Sequence, residues 1–286
     1  MPSTPPVILS IAGFDPSSGA GVTADIKTIA AHGCYGVAAI TALTVQSTSG
    51  VARVEPVSAA LLTGTLNELA QDVDIAAIRI GMLGSAEVAA AVASFLEKGK
   101  FSNVVLDPIL KSSSGAKLLE EKALKILRDR LLPLVTIITP NFEEALALTG
   151  TSGGNGDYPN QARALAVRLH EMGCPNVVIT GGHLDKASDF LGFQTSQGGL
   201  EFEMFSSEKQ KTKSTHGTGC AFATALACHL ALGRQVPESV LLTKAYVTAA
   251  IAAAYPLGRG NGPLHHLYRM HEQRRRTAST EPEIAH

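Results

Sequence analysis

Residues 7–45 read VILSIAGFDPSSGAGVTADIKTIAAHGCYGVAAITALTV, and the fold class follows from them. The runs Val7–Ile11 and Val37–Val45 are apolar at nearly every position. A strand with one wet face alternates apolar with polar residues. A continuous β-branched run instead suits a strand covered on both faces, as in a parallel sheet. Ala20–Ala31, between the two runs, has a helical pattern, and parallel neighbours need such a crossover. The unit recurs. Ile75–Ile80, Val104–Leu106, Val135–Ile138 and Val177–Ile179 predict further buried strands. Ala59–Gln71, Ala86–Glu97, Glu120–Arg130, Phe142–Leu148 and Asn160–Met172 predict the helices between them. This alternation means an α/β fold with right-handed crossovers. Phe190–Thr195 and Leu200–Phe205 flank Ser196-Gln197-Gly198-Gly199 and predict a hairpin, followed by helices near Gly219–Leu232 and Val236–Ala254.

Composition narrows the function. The 286 residues are 45% hydrophobic and 17% charged, which excludes disorder for the body of the chain. There are 24 basic and 25 acidic side chains, a formal charge of −1, so no field favours nucleic acid or an anionic membrane. Cys34, Cys174, Cys220 and Cys228 form no CxxC pair, which argues against a disulfide scaffold or structural zinc. No signal-peptide pattern follows Met1, and the apolar stretches are too short to span a bilayer. The expectation is a soluble cytoplasmic protein. Residues 1–270 are expected to form a single domain without internal repeats, and 271–286 a polar, disordered tail.

Three stretches can carry chemistry. Ser214-Thr215-His216-Gly217-Thr218-Gly219-Cys220 runs straight into an apolar helix. Glycines before a helix let backbone N–H groups gather around an anion, and the helix dipole adds to their pull. The same glycines could serve only a tight turn. Cys220 at that helix start predicts a thiol of lowered pKa. Thr139-Pro140-Asn141-Phe142-Glu143-Glu144 follows a strand and puts Asn141 and Glu144 on one helix face. Such a pair can hold Mg2+, or can be a plain capping box. Asp107 also ends a strand, and ligands of open α/β sheets gather at the carboxyl ends of strands. Gly181-Gly182 and the neighbouring His183 belong to the same edge. Finally, Ala12-Gly13-Phe14-Asp15-Pro16-Ser17-Ser18-Gly19-Ala20-Gly21 links the first strand to the first helix. Asp15 brings a polar group to the ligand edge, while Gly19 and Gly21 admit a small ligand to the backbone. Gly19-x-Gly21-x-x-Ala24 is a loose dinucleotide fingerprint, but the turn is long and no acidic residue ends the second strand. No GxxxxGK[ST] and no GxSxG occurs, against a P-loop kinase and a serine hydrolase. His265-His266 has no third ligand nearby.

Together these stretches resemble the ribokinase-like superfamily, and within it the hydroxymethylpyrimidine / phosphomethylpyrimidine kinases of thiamine synthesis. The resemblance extends over about residues 7–268. It includes Ala24-Asp25-Ile26-Lys27-Thr28, Gln46-Ser47-Thr48, Ile80-Gly81-Met82-Leu83, Thr180-Gly181-Gly182-His183 and Gly260-Asn261-Gly262-Pro263-Leu264-His265-His266. It implies a three-layer α/β/α sandwich around a mostly parallel sheet, a homodimer, and ATP with Mg2+ as cofactors. It places Asp15, Gln46 and Met82, with Gly13 and Gly21, around a small-molecule pyrimidine. It places Gly217, Gly219 and Cys220 at the transferred group, with Cys220 where sugar kinases of the superfamily carry a catalytic Asp. Asp107, Asn141, Glu144, Thr180, Gly182, Thr215 and Lys244 would face the nucleotide, with Asp107 and Glu144 serving the metal. Two positions depart from the family pattern: Thr180 stands where many relatives have Lys, and Ser47 where Asn is commoner.

The activity implied is ATP-dependent phosphorylation of 4-amino-5-hydroxymethyl-2-methylpyrimidine and then of its monophosphate. Pyridoxal/pyridoxine kinase is the neighbouring reading. A dinucleotide-dependent oxidoreductase and a non-catalytic pyrimidine or nucleotide sensor are the readings from other classes.

Overall fold

In the computed structural model, residues 4–111, 119–152, 157–181 and 186–270 are described. Gly182, His183 and the expected tail lie outside them. The opening stretch folds as read: β1 (Val7–Phe14), α1 (Gly21–Ala31), β2 (Tyr35–Ser47). Then follow β3 (Gly50–Pro56), α2 (Ala59–Asp72), β4 (Ile75–Ile80), α3 (Ala86–Lys98) and β5 (Val104–Leu106). The middle holds α4 (Glu121–Ile126), β6 (Ile137–Ile138), α5 (Phe142–Thr149), α6 (Tyr158–Glu171) and β7 (Asn176–Gly181). The chain closes with β8 (Ala187–Gln194), β9 (Leu200–Ser207), α7 (Thr218–Ala231) and α8 (Val236–Ala252).

All nine strands form one sheet in the order β3-β2-β1-β4-β5-β6-β7-β8-β9. The six strands from β2 to β7 are parallel, and β3, β8 and β9 extend the edges antiparallel. Alternate residues serve opposite faces. Leu9, Ile11, Ile78 and Leu106 pack with residues of α2 to α6, whereas Ile8, Ala77 and Val105 pack with α1, α7 and α8. This is the three-layer α/β/α sandwich. Every residue of α7 from Cys220 to Leu230 is buried, because the helix lies between the sheet, α1 and α8.

Two expectations change. The strand β3 has no counterpart among the predicted ones. Its outer position leaves Arg53 and Glu55 exposed, so no apolar run marks it. The helix expected over Glu120–Arg130 is instead α4, a π-helical turn over Leu127–Leu131 and a 3-10 turn over Leu132–Leu134, where Pro133 ends regular hydrogen bonding.

The topology decides where a ligand can sit. β1 pairs with β2 on one side and with β4 on the other, so the winding reverses between β1 and β4. Crevices of such sheets open at the carboxyl ends on either side of that reversal. Asp15, Gly81-Met82, Asp107, Asn141 and Gly181 lie at or just beyond the carboxyl ends of β1, β4, β5, β6 and β7.

Candidate active site

At one end of the crevice the loop after β1 is wound around a carboxylate. Asp15 accepts hydrogen bonds from Ser17 N at 2.8 Å, Ser17 Oγ at 2.7 Å, Ala20 N at 2.9 Å and His216 Nε2 at 2.8 Å. Burial alone would raise its pKa, but the hydrogen bonds from His216 and Ser17 prevail and hold it below the usual value. Lys27 fastens the same loop through the Ser18 carbonyl. His216 arrives from the segment before α7, and its ring fills the space beside Gly19, where a Cβ would lie 2.2 Å from Cδ2. Gly217 has φ +81°, and a Cβ on it would meet the Gly19 carbonyl oxygen at 1.8 Å. Glycine is required there on both counts.

Gln46, near the end of β2, stands 3.2 Å from His216 Nε2. Met82, just past β4, packs with Ala42 and against Val54 and Ile109. A Cβ on Gly13 would lie 2.3 Å from Met82 Cε, and one on Gly21 would lie 2.1 Å from the Gly13 carbonyl oxygen. The five residues expected around a pyrimidine, Gly13, Asp15, Gly21, Gln46 and Met82, are thus neighbours. The segment beyond α8 closes this end. Asn261 N donates to the Thr48 carbonyl at 3.0 Å, and His216 N to the Gly262 carbonyl at 3.0 Å.

The helix α7 begins at the centre. Its first-turn amides have no acceptor within the helix, and a Cβ on Gly219 would meet nothing nearer than Asp107 Oδ2 at 3.9 Å. Thr215 is exposed, and its carbonyl accepts from Thr218 Oγ1 at 2.7 Å. Cys220 corrects the expectation of an acidic thiol: its pKa is pushed up to about 11. Burial is the largest cause. Arg79 pulls it down, while Asp107 and Asp25 push it further up. Burial beside two carboxylates outweighs the pull of Arg79.

Beneath Cys220 lies a buried network. Arg79, fully enclosed on β4, donates to Asp25 at 3.1 Å and to Asp107 at 2.9 Å. Asp25 also accepts from Ser10 Oγ at 2.6 Å and Thr224 Oγ1 at 2.8 Å. A Cβ at Gly81 would lie 1.9 Å from Arg79 Nη1, so this glycine makes room for the guanidinium. Asp107 is pushed up to about 7, by burial first; Arg79 opposes this, and the charges of Glu144 and Asp25 reinforce it.

At the far end Asn141 and Glu144 form a capping box on α5. Glu144 N donates to Asn141 Oδ1 at 2.9 Å, and Asn141 N to Glu144 Oε2 at 3.0 Å. The other Glu144 oxygen accepts from Leu110 N at 3.1 Å. Burial raises the Glu144 pKa as well. Thr180 N donates to the Pro140 carbonyl at 2.9 Å. Lys244 pairs with Asp189 at 2.7 Å, and Asp189 also accepts from Gly181 N at 3.2 Å. Lys244 therefore reaches the end of β7 through an acidic partner. Gly182 lies outside the described residues.

Residues 15–265 match the family described as phosphomethylpyrimidine kinase. The chain belongs to that family. It is 40% identical to the hydroxymethylpyrimidine/phosphomethylpyrimidine kinase of Haemophilus influenzae, over 91% of this chain and 96% of the relative. It is 40% identical to the thiamine biosynthesis bifunctional protein ThiED of Geobacter sulfurreducens, over 91% of this chain but only 52% of that protein's length. Among solved structures, the ADP complex of Bacillus subtilis pyridoxal kinase superposes with a TM-score of 0.82 at 31% identity, covering 93% of this chain and all of that one. Relatives of this family are phosphotransferases, and the fold is that of ribokinase-like kinases.

Against that background, sequence reasoning missed the parts of the site that act through other residues. Arg79 sits in the apolar run Ile75–Ile80, and a lone arginine in a strand covered on both faces must have buried partners. That signal was present and could have been used. His216 meets Asp15 across 201 positions, and nothing local announces such a contact.

Proposed function

We propose that this kinase transfers the γ-phosphoryl group of ATP to the hydroxymethyl arm of 4-amino-5-hydroxymethyl-2-methylpyrimidine. In a second turn it phosphorylates the monophosphate to the diphosphate, as a step of thiamine diphosphate synthesis. One observation carries the reading. A carboxamide able to pair with an aminopyrimidine edge, Gln46, is tied by His216 to the glycine-framed start of α7. A flat ring held at Gln46 and Met82 would direct its hydroxymethyl arm to Cys220, and the amides after Gly217 would meet the phosphoryl oxygens. Positioning and charge stabilisation are most of what phosphoryl transfer needs from a protein.

Mg2+ fits the donors present. Asp107 and Glu144 are both buried, and the charge of Glu144 raises the Asp107 pKa, so a divalent cation between them and the phosphates would relieve that repulsion. Among the described residues no group of three or more His, Cys, Asp or Glu side chains could hold a metal ion. A Mg2+ that takes much of its shell from phosphate and water needs no such group. Its chemistry would be to neutralise negative charge on the phosphates. Thr180 and Thr215 would border the nucleotide, and Lys244 would serve the phosphates from the Asp189 pair. The assembly proposed is a cytoplasmic homodimer of one kinase domain per chain.

The test is ADP release with MgATP and, in parallel, hydroxymethylpyrimidine, its monophosphate, pyridoxal and pyridoxine. Turnover of the first two supports the proposal. Turnover of the pyridoxal compounds alone would move the chain to vitamin B6 salvage, the activity named for its Bacillus subtilis structural neighbour.

A further inference from the structure

We propose that His216, held by Asp15, is the positioning residue that fixes which end of the Gln46 carboxamide is oxygen, and so makes the pocket select a 4-amino over a 4-oxo pyrimidine. The inference rests on Gln46 reading the substrate ring, as in the function proposed above.

The argument is one of donors and acceptors. The two Asp15 oxygens offer about four acceptor positions in all. Ser17 N and Ser17 Oγ occupy Oδ1, and Ala20 N and His216 Nε2 occupy Oδ2. Asp15 is therefore fully engaged within the protein and has no acceptor to spare for a ligand. A carboxylate oxygen 2.8 Å from an imidazole nitrogen requires the proton to lie between them. His216 Nε2 consequently carries hydrogen whether the ring is neutral or charged, and it cannot accept from Gln46.

Gln46 must answer that N–H. With its Nε2 toward His216, at 3.2 Å, two N–H groups face one another. The same orientation puts Oε1 3.1 Å from Thr44 Oγ1, which also lies 2.9 Å from the Phe14 carbonyl, so the single Thr44 hydroxyl proton would have to be shared. Turning the amide by half a rotation about its last bond removes the facing N–H groups and leaves the Thr44 proton to Phe14. Oε1 then faces the His216 Nε2–H, whose proton stays on Asp15 and reaches Oε1 only as the longer branch of a shared hydrogen bond, while Nε2 donates to Thr44 Oγ1 and Thr44 donates to Phe14. Oxygen and nitrogen of an amide are assigned by such networks. Thr44 alone would not enforce this, because a hydroxyl can turn to donate or accept, whereas the Asp15-bound N–H cannot.

What remains for a ligand is one lone pair on Oε1 and one N–H on Nε2, in a fixed order. A 4-aminopyrimidine edge presents a donor beside an acceptor and complements that order. A 4-oxopyrimidine edge presents an acceptor beside an N–H and opposes it. An unmade buried hydrogen bond is where such discrimination arises.

The experiment measures Kd by calorimetry for 4-amino-5-hydroxymethyl-2-methylpyrimidine and for its 4-oxo counterpart, with wild type, His216→Phe and His216→Gln. His216→Leu replaces the first variant should it not fold. The wild type is expected to prefer the 4-amino compound by about tenfold or more. In His216→Phe the amide is free to turn, and the preference should shrink to about threefold or less. In His216→Gln the side-chain NH2 can donate to both Asp15 and Gln46, so the preference should persist. An unchanged preference in the Phe and Leu variants overturns the proposal. Equal loss in Phe and Gln also overturns it, since the histidine would then act only by packing. A wild type that binds neither compound would instead defeat the functional reading on which the inference stands.

Discussion

Cys220 shows how far a single residue can be understood from its position in the chain. Placement at the third position of α7 suggested a reactive thiolate, because exposed helix starts favour anions. The folded protein adds burial and two carboxylates beneath it, and the thiol is held up at about 11. At neutral pH it is therefore protonated in the free enzyme. Under the proposed function it would accept the substrate proton once cationic partners enter, or orient the hydroxyl as a neutral donor. Both roles require the sulfur. Cys220→Ala is expected to lower kcat about a hundredfold or more while leaving the Kd for ADP within about threefold. Steady-state ADP release and calorimetric titration check the two parts. A kcat near that of wild type would remove Cys220 from the chemistry. Asp15 illustrates the same limit. Its presence at the ligand edge was visible in the sequence, but its four partners within the protein, His216 among them, were not.

The element α5 carries a double meaning that its sequence left open. Asn141 and Glu144 form the capping box, and Glu144 is also a buried carboxylate in the field of Asp107. Stability and metal response separate the two functions. Asn141→Ala should cost about 1 kcal/mol of unfolding free energy through the lost cap. Glu144→Gln keeps an acceptor for the Asn141 amide and should cost less, yet it removes the charge. It should raise the Mg2+ concentration for half-maximal activity about tenfold or more. Urea unfolding and ADP release against Mg2+ concentration read these effects separately. An unmoved Mg2+ curve would leave Glu144 a helix cap and nothing else. The other elements follow a simple rule. Those covered on both faces, such as β1 and β4, announce themselves as continuous apolar runs, and Ala86–Glu97 appears almost residue for residue as α3. β3 is hidden because an edge strand between solvent and β2 can afford charged residues.

At the scale of the molecule, α7 joins the site to the rest of the core. Its first turn holds Cys220, and one turn later Thr224 donates to Asp25. Toward its other end His229 is buried against His32, with ring centroids 4.9 Å apart, and neither of its ring nitrogens has a hydrogen-bond partner among the described residues. Burial first, then the charges of His32, Arg234 and Arg269, depress its pKa from 6.5 to about 4. The sign of the consequence follows by linkage. Above pH 6.5 the ring is neutral in both folded and unfolded chains and contributes no pH dependence. Between 6.5 and about 4 the unfolded chain binds the proton and the folded one does not, so stability declines as pH falls through that window. His229→Phe keeps an aromatic ring in the space and removes the titration. Its Tm should fall less than that of wild type between pH 7.5 and pH 5, two settings chosen about one unit or more either side of the ordinary histidine value. The measurement is calorimetric Tm for both proteins across that range. Parallel curves would place the acid sensitivity elsewhere, first at His266, which burial also depresses, to about 3. Because His229 lies more than two helical turns from Cys220 along α7, kcat at pH 7.5 should be the same in both proteins even as their acid stabilities diverge.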